Sequence, residues 1–235
     1  MPPVAEPPPL RHHNRVDGPD DLARALTPQG EIALRRRGAV HELIVNGVFA
    51  MDSAEVTSEL ALADAAGPDP GVVVVGGLGL GFTAARLLAA GADTVHVVEL
   101  ARPLIDWALA GVTDQLERVA HDPRVRLHHG DIVEWLPRRE ELFDAVLLDV
   151  DNGPGFLIHD SNAQVYAALW LADAVERLRP GGVLVIWSES AAPELAATLA
   201  ALGHLKERMI TVEREGRRFD YALYVLRRRG PQHTV

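Results

Sequence analysis

A glycine-rich stretch between two apolar runs is the part of the sequence best suited to hold a ligand. The segment Gly76–Gly81 follows the valine run Val72–Val75, and the next apolar run ends in Glu99. This order predicts a strand, a tight turn, a helix and a second strand with a carboxylate at its tip. Such a unit lets a nucleoside lie against bare backbone while an acid binds its ribose hydroxyls. The glycines expected to contact the cofactor are Gly76, Gly77, Gly79 and Gly81.

Further acids follow the next predicted strands. Asp131 comes after the third strand, and Asp149 and Asp151 end the fourth. Open α/β sheets hold their ligands at this carboxyl edge. Asp131 could bind an adenine amino group, although it also suits the N-cap of a helix that begins at Ile132. Asp149 and Asp151 could attract a cationic amine and accept its proton, or they could cap the following loop.

The glycine segment alone leaves the cofactor open. Residues 79–84 also fit the dinucleotide fingerprint with alanine in the third position, so NAD is one possibility. The position of Asp131, the acids Asp149 and Asp151, and a predicted terminal hairpin favour a sulfonium nucleoside instead. Both methyl and aminopropyl transfer from such a nucleoside are in-line displacements at carbon, in which the enzyme mainly supplies alignment.

Composition restricts the class of protein. The formal net charge of −10 argues against binding nucleic acid through the whole surface, because phosphates need a basic face. Cysteine is absent, which excludes disulfides and thiolate metal sites, and we expect no metal. Charged residues interrupt every apolar stretch, and the N-terminus lacks the apolar core of a secretory signal. These features predict a cytoplasmic protein without membrane contact.

The chain divides into three predicted regions. Residues 1–28 begin as a proline-rich stretch and are interpreted as a disordered tail. Residues 29–66 are expected to form a small N-terminal β-hairpin and a helix capped by Ser53. The segment Gly67–Pro70 breaks the chain, and residues 67–235 are expected to form a nucleoside-binding catalytic domain.

The catalytic region alternates predicted strands and helices. Its valine-rich strands lack polar alternation, which indicates a parallel sheet covered on both faces. Residues 206–213 and 219–226 flank an arginine-rich turn at Gly216 and predict a β-hairpin. The expected fold is therefore a Rossmann-like, doubly wound, mostly parallel seven-stranded sheet with an antiparallel C-terminal hairpin.

From about Glu31 to Leu226 the chain resembles the spermidine synthase (polyamine aminopropyltransferase) family, which has the fold of class I S-adenosylmethionine-dependent methyltransferases. Several of the shared pieces also occur in those methyltransferases. The combination of the N-terminal β-element with the later acidic series indicates the synthase-like group. The matching pieces are residues 43–47, 76–81, 97–99, 122–125, 130–131, 143–149 and 178–182.

The resemblance implies roles for individual residues. Glu99 would hold the ribose hydroxyls and Asp131 the adenine amino group, while Asp149 matches the first acid of the family's catalytic Asp-Ser-Ser-Asp stretch. The family also carries an acid at the position of Gly79, which receives the amino group of decarboxylated S-adenosylmethionine, and a glutamine at about Phe49. Its Tyr-His pair is replaced at residues 58–59. The nucleoside half of the family site is kept, and the half for the aminopropyl group and the amine is altered.

Two transfer reactions follow as hypotheses. The first is aminopropyl transfer from decarboxylated S-adenosylmethionine to an amine or polyamine. The second is methyl transfer from S-adenosylmethionine to a small molecule, which Gly79 and Phe49 favour. A non-catalytic nucleoside-binding module is a third reading, and an NAD oxidoreductase is a distant fourth. The family commonly pairs through its N-terminal region, so the resemblance also implies a homodimer.

Overall fold

A computed structural model describes residues 20–150, 154, 160–214 and 216–230. The chain forms a small antiparallel sheet and then a larger mixed sheet. The antiparallel sheet has the order β1-β2-β3-β4, in which each strand pairs with the next along the chain. Its strands are β1 (Asp20–Thr27), β2 (Gly30–Arg37), β3 (Val40–Val45) and β4 (Val48–Asp52).

Strand β1 corrects the predicted boundary of the tail at residue 28. Its backbone pairs antiparallel with β2 from Asp20 to Thr27, so only residues before Asp20 lie outside the described chain at this end. Arg24 bonds to Asp21 and to Glu31 on β2. The strand was missed because its four apolar residues do not alternate regularly with its polar ones, so the sequence lacks the period-two pattern of a strand. The N-terminal element is accordingly a four-stranded sheet rather than a hairpin.

The first helix, α1 (Thr57–Asp64), starts later than expected and without the predicted cap. Ser53 accepts a hydrogen bond from the backbone N–H of His41 at 2.9 Å, so its side chain is tied to the sheet. The Asp52 carboxylate instead accepts the backbone N–H groups of residues 54 and 55. The turn made by Asp52 delays the helix by three residues relative to the prediction.

The larger sheet confirms the predicted fold class. It has seven strands in the order β10-β11-β9-β8-β5-β6-β7, and β11 pairs antiparallel with both of its neighbours while β5 to β9 are parallel. Strand β5 has β6 on one side and β8 on the other, so the strand order reverses at β5. The carboxyl end of β5 is therefore the topological switch point of the sheet. The strands are β5 (Val72–Gly76), β6 (Thr94–Glu99), β7 (Val125–His129), β8 (Phe143–Leu148), β9 (Leu178–Ser188), β10 (His204–Arg214) and β11 (Arg217–Arg227).

Helices cover both faces of this sheet, as the valine-rich strands indicated. On β5, Val73 and Val75 belong to one buried cluster and Val74 to another. Across the residues that the structure describes, no helix is long and apolar enough to cross a membrane. The remaining helices are α2 (Phe82–Ala89), α3 (Arg102–Leu109), α4 (Asp114–Ala120), α5 (Ile132–Trp135), α6 (Ala168–Glu176) and α7 (Pro193–Leu202), with a 3₁₀ helix at Asp160–Tyr166.

Helix α4 was not predicted, and it supports the glycine loop from behind. The side-chain oxygen of Thr113 accepts the backbone N–H of Leu116 at 3.2 Å and caps the helix. Leu116 and Val119 are buried, and their methyl groups would lie within 3.6 Å of a Cβ placed on Gly81. The Gln115 amide donates to the Gly81 carbonyl at 3.3 Å. The helix therefore fixes the point at which the loop becomes α2.

Replacing Thr113 by Ala should lower the free energy of unfolding by about 1 kcal/mol, because the first turn of α4 loses its side-chain acceptor. Urea denaturation followed by circular dichroism measures this difference. Thr198→Ala, within helix α7, is the matched control and should change the unfolding free energy much less. Equal stability of wild type and Thr113→Ala would show that the cap contributes nothing to α4.

Candidate active site

A cavity of about 310 Å³ lies between the N-terminal sheet and the carboxyl edge of the parallel strands. The antiparallel sheet contributes Met51 and neighbouring residues, helix α1 contributes Glu59, and the hairpin β10–β11 contributes Arg214 and Tyr221. Such a cavity is large enough for a small ligand. Its acidic lining residues are Glu59, Glu99, Asp131, Asp149 and Glu189.

Glu99 ties the end of β6 to the glycine loop. One carboxylate oxygen accepts the backbone N–H of Leu78 at 2.7 Å, and the other accepts that of Ala101 at 2.7 Å. The residue is 8% exposed and lines the cavity. Burial raises the pKa of Glu99 against the opposing effect of these donated hydrogen bonds. Glu99 therefore lies at the strand tip and lines the cavity, and its binding of a ribose stays a prediction.

Close backbone packing explains two of the loop glycines. Gly77 has a φ of 96°, and a Cβ on it would collide with the carbonyl oxygen of Asp149. Gly79 has a φ of 51°, and its Cβ would lie 2.7 Å from the Met51 sulfur. The Met51 sulfur in turn accepts the backbone N–H of Leu80 at 3.3 Å. A thioether from the N-terminal sheet therefore occupies the space beside Gly79.

The four predicted glycines divide into two pairs. Gly77 and Gly79 line the cavity. Gly76 is the last residue of β5, and a Cβ there would meet side chains of the core. Gly81 is the N-cap of α2 in a left-handed conformation with a φ of 84°. The first pair forms the wall of the cavity, and the second pair shapes the turn behind it.

Asp131 and Asp149 both line the cavity, and each also makes an internal hydrogen bond. Asp131 accepts the backbone N–H of Val133 at 2.8 Å and caps α5. Capping the helix does not prevent Asp131 from also binding an adenine amino group, because a carboxylate can accept more than one hydrogen bond. The Asp149 carboxylate accepts the hydroxyl of the buried Thr83 at 3.1 Å. Asp151 lies outside the described residues.

Glu59 is a carboxylate of the cavity to which the sequence gave no role. It is 8% exposed and accepts the hydroxyl of Ser58 at 2.7 Å. Burial and the negative charge of Asp149 raise the pKa of Glu59 to about 7, and burial raises that of Asp149 to about 6. A carboxylate with a pKa near neutrality can attract an amine and accept its proton, so the raised pKa values make both acids candidates for these tasks.

The hairpin and the end of β9 contribute a further part of the cavity wall. The Arg214 guanidinium lies over the ring of Phe49, with its Cζ 4.9 Å from the ring centroid. Trp187 packs edge-on against Tyr221 at 5.1 Å between ring centroids, and both line the cavity. Burial raises the pKa of Glu189, which stands at the same end. This wall combines aromatic surface with one cation.

Sequence reasoning missed Glu59, Met51 and Arg214 as cavity residues for a common reason. They come from three different elements, and none is part of a local motif. Residues 58–59 were aligned with the family's Tyr-His pair, which was the one signal that pointed to Glu59. In the described part of the chain, no three His, Asp or Glu side chains form a group that could hold a metal ion.

Between pH 5 and pH 8 the free energy of unfolding should fall less in Glu59→Gln than in wild type. Because the folded protein holds a proton on Glu59 that the unfolded chain releases at lower pH, the free energy of unfolding falls as pH rises from about 4.5 to 7. The variant lacks this contribution of Glu59 to the pH dependence, which is on the order of 2 kcal/mol. Urea denaturation at pH 5 and 8 tests it, with the exposed Glu134→Gln as control. Identical pH slopes in all three proteins would contradict the raised pKa.

Comparisons with known proteins show similarity in sequence to one protein and in fold to others. No protein-family model matches the chain. A polyamine aminopropyltransferase from Nitrosomonas europaea is 33% identical over 138 residues, which are 57% of this chain and 41% of that protein. The match thus spans less than half of the relative's length.

The fold is shared with spermidine synthases of known structure. The enzyme from Thermotoga maritima matches with a TM-score of 0.72 at 14% identity, over 88% of this chain and 72% of that one. A spermidine synthase in complex with the transition-state analogue AdoDATO matches with the same TM-score and identity, over 88% and 73% of the two chains. The resemblance predicted from the sequence motifs is confirmed: the chain has the fold of the spermidine synthases and is similar in sequence to a polyamine aminopropyltransferase.

Proposed function

We propose that this protein is a spermidine-synthase-like transferase that moves an aminopropyl group from decarboxylated S-adenosylmethionine to an amine. The observation that carries the proposal is the acidic cavity at the carboxyl edge of the sheet, where Glu99, Asp131 and Asp149 lie together. Both reactants of this reaction are cations, a sulfonium and an ammonium, and carboxylates attract them. The similarity to a polyamine aminopropyltransferase supports the same conclusion.

In the proposed reaction the two halves of the cavity have separate tasks. Glu99 and Asp131 hold the ribose hydroxyls and the adenine, while Gly77 and Gly79 let the nucleoside approach the backbone. The amine nitrogen attacks the carbon beside the sulfonium sulfur, the carbon–sulfur bond breaks, and methylthioadenosine leaves as a neutral thioether. Asp149 accepts the proton that the nitrogen loses. Its raised pKa, about 6, brings it closer to the working pH of a general base.

Glu59 extends this arrangement to the acceptor side. Its carboxylate interacts electrostatically with Asp149, and it lines the same cavity from helix α1. When both acids are ionised they form a doubly negative environment for an ammonium group. We therefore assign Glu59 to binding the acceptor amine. We further propose that the protein acts in the cytoplasm as a homodimer.

Methyl transfer from S-adenosylmethionine is the second candidate, and one observation favours it. The family acid that receives the amino group of the decarboxylated cofactor is replaced by Gly79, and Met51 fills the adjacent space. A thioether offers no charge to an ammonium group. Calorimetric titration with decarboxylated S-adenosylmethionine, S-adenosylmethionine and NAD separates the candidates. Tighter binding of the decarboxylated form is expected, and preference for NAD would exclude both transfer reactions.

Asp149→Asn should keep the affinity for methylthioadenosine and lower aminopropyl transfer to putrescine by about a hundredfold or more, since an amide cannot accept the proton. Release of methylthioadenosine, measured by liquid chromatography, gives the rate, and calorimetry gives the affinity. Asp173→Asn, on the exposed side of helix α6, is the control and should behave as wild type. Full activity of the Asp149 variant would remove this residue from the mechanism.

A further inference from the structure

The part of the cavity wall that the hairpin contributes carries a cation that the proposed reaction does not use. Arg214, at the end of β10, lines the cavity together with Trp187, Glu189 and Tyr221. Both reactants of aminopropyl transfer are themselves cations, so an arginine here would repel them. Arg214 already lies within electrostatic range of Glu59, and a ligand group of negative charge would be attracted to it as well.

Among the described residues, no ion pair within 4.0 Å includes Arg214, and its Nε atom is buried without an acceptor. The indole Nε1 of Trp187 is also buried and, among those residues, has no acceptor. Two unpaired donors from different strands therefore lie at the same end of the cavity. Buried donors without partners cost free energy, and a ligand that carries acceptor atoms would recover part of that cost.

The position of Arg214 is fixed by its neighbours. The guanidinium packs on the ring of Phe49, which holds it against the N-terminal sheet. Its positive charge opposes the increase in the pKa of Tyr221 and of Glu59 that burial produces, so it acts on the same space as these two groups. A planar guanidinium held in this way suits bidentate binding of a carboxylate.

We propose that Arg214 forms a carboxylate-binding subsite, so that a ligand of this cavity bears a carboxylate as well as an amine. The inference rests on the proposed transfer reaction. An amino group directed to Glu59 and Asp149 and a carboxylate directed to Arg214 describe an amino acid. The carboxylate can come from two sources, namely an amino-acid acceptor or the methionine part of S-adenosylmethionine.

Two pairs of compounds that differ only in a carboxylate test the subsite. Ornithine is compared with putrescine for binding to the protein saturated with methylthioadenosine, and S-adenosylmethionine is compared with its decarboxylated form. Calorimetry on wild type, Arg214→Met, Arg214→Lys and the control Arg208→Met gives the affinities. Arg208 is exposed on the same strand as Arg214.

We expect wild type and Arg208→Met to prefer the carboxylate-bearing member of one pair, and Arg214→Met to lose that preference by about tenfold or more. Arg214→Lys should retain part of it, because the charge remains. A preference within the first pair identifies the acceptor as the source, and one within the second pair identifies the donor. No carboxylate preference in wild type, or an unchanged preference in Arg214→Met, would overturn the subsite.

A failure of the subsite can be distinguished from a failure of the proposed reaction. Release of methylthioadenosine from decarboxylated S-adenosylmethionine is measured with putrescine and with ornithine as acceptors. If no product forms with either amine while the carboxylate preference depends on Arg214, aminopropyl transfer fails and the subsite stands. If product forms and Arg214→Met binds both members of each pair as wild type does, the reaction stands and the subsite fails.

Discussion

The contact on which the site depends is the pair of hydrogen bonds that the Glu99 carboxylate accepts from Leu78 and Ala101. These bonds join the loop after β5 to the residues after β6, so two strand ends and the glycine turn form one rigid unit. The carboxylate is buried, and its raised pKa reflects the desolvation that this position requires. A ligand that binds the same carboxylate meets a group whose orientation is already set.

Close approach of the backbone is the second constraint. The Asp149 N–H donates to the Gly76 carbonyl at 3.0 Å, and the Asp149 carbonyl lies where a side chain on Gly77 would be. The glycine loop and the chain after β8 are therefore in direct contact at the switch point of the sheet. This contact leaves a surface of bare backbone where the nucleoside is proposed to bind, and it brings the Asp149 carboxylate to the same edge.

The N-terminal sheet and the C-terminal hairpin determine the remaining half of the cavity. Met51 fills the space beside Gly79, Glu59 interacts with Asp149, and Arg214 rests on Phe49. This half contains the Glu59 carboxylate, aromatic surface and one cation among the described residues, whereas the nucleoside half contains acids, glycines and apolar side chains. The difference between the halves fits the two proposals made above, namely a nucleoside of the S-adenosylmethionine type in one half and a ligand with both an amine and a carboxylate in the other.

The sequence by itself determined the sheet, the glycine loop and the acids Glu99, Asp131 and Asp149, because strands that run parallel bring their carboxyl ends to one edge. It did not reveal β1, which forms a strand because its backbone pairs with β2. It also did not reveal helix α4, a short amphipathic segment that follows closely on α3. Only the tertiary structure brought Glu59 and Arg214 to the cavity. They are 155 positions apart in the sequence, and their approach depends on how the N-terminal sheet and the hairpin pack across the edge of the main sheet.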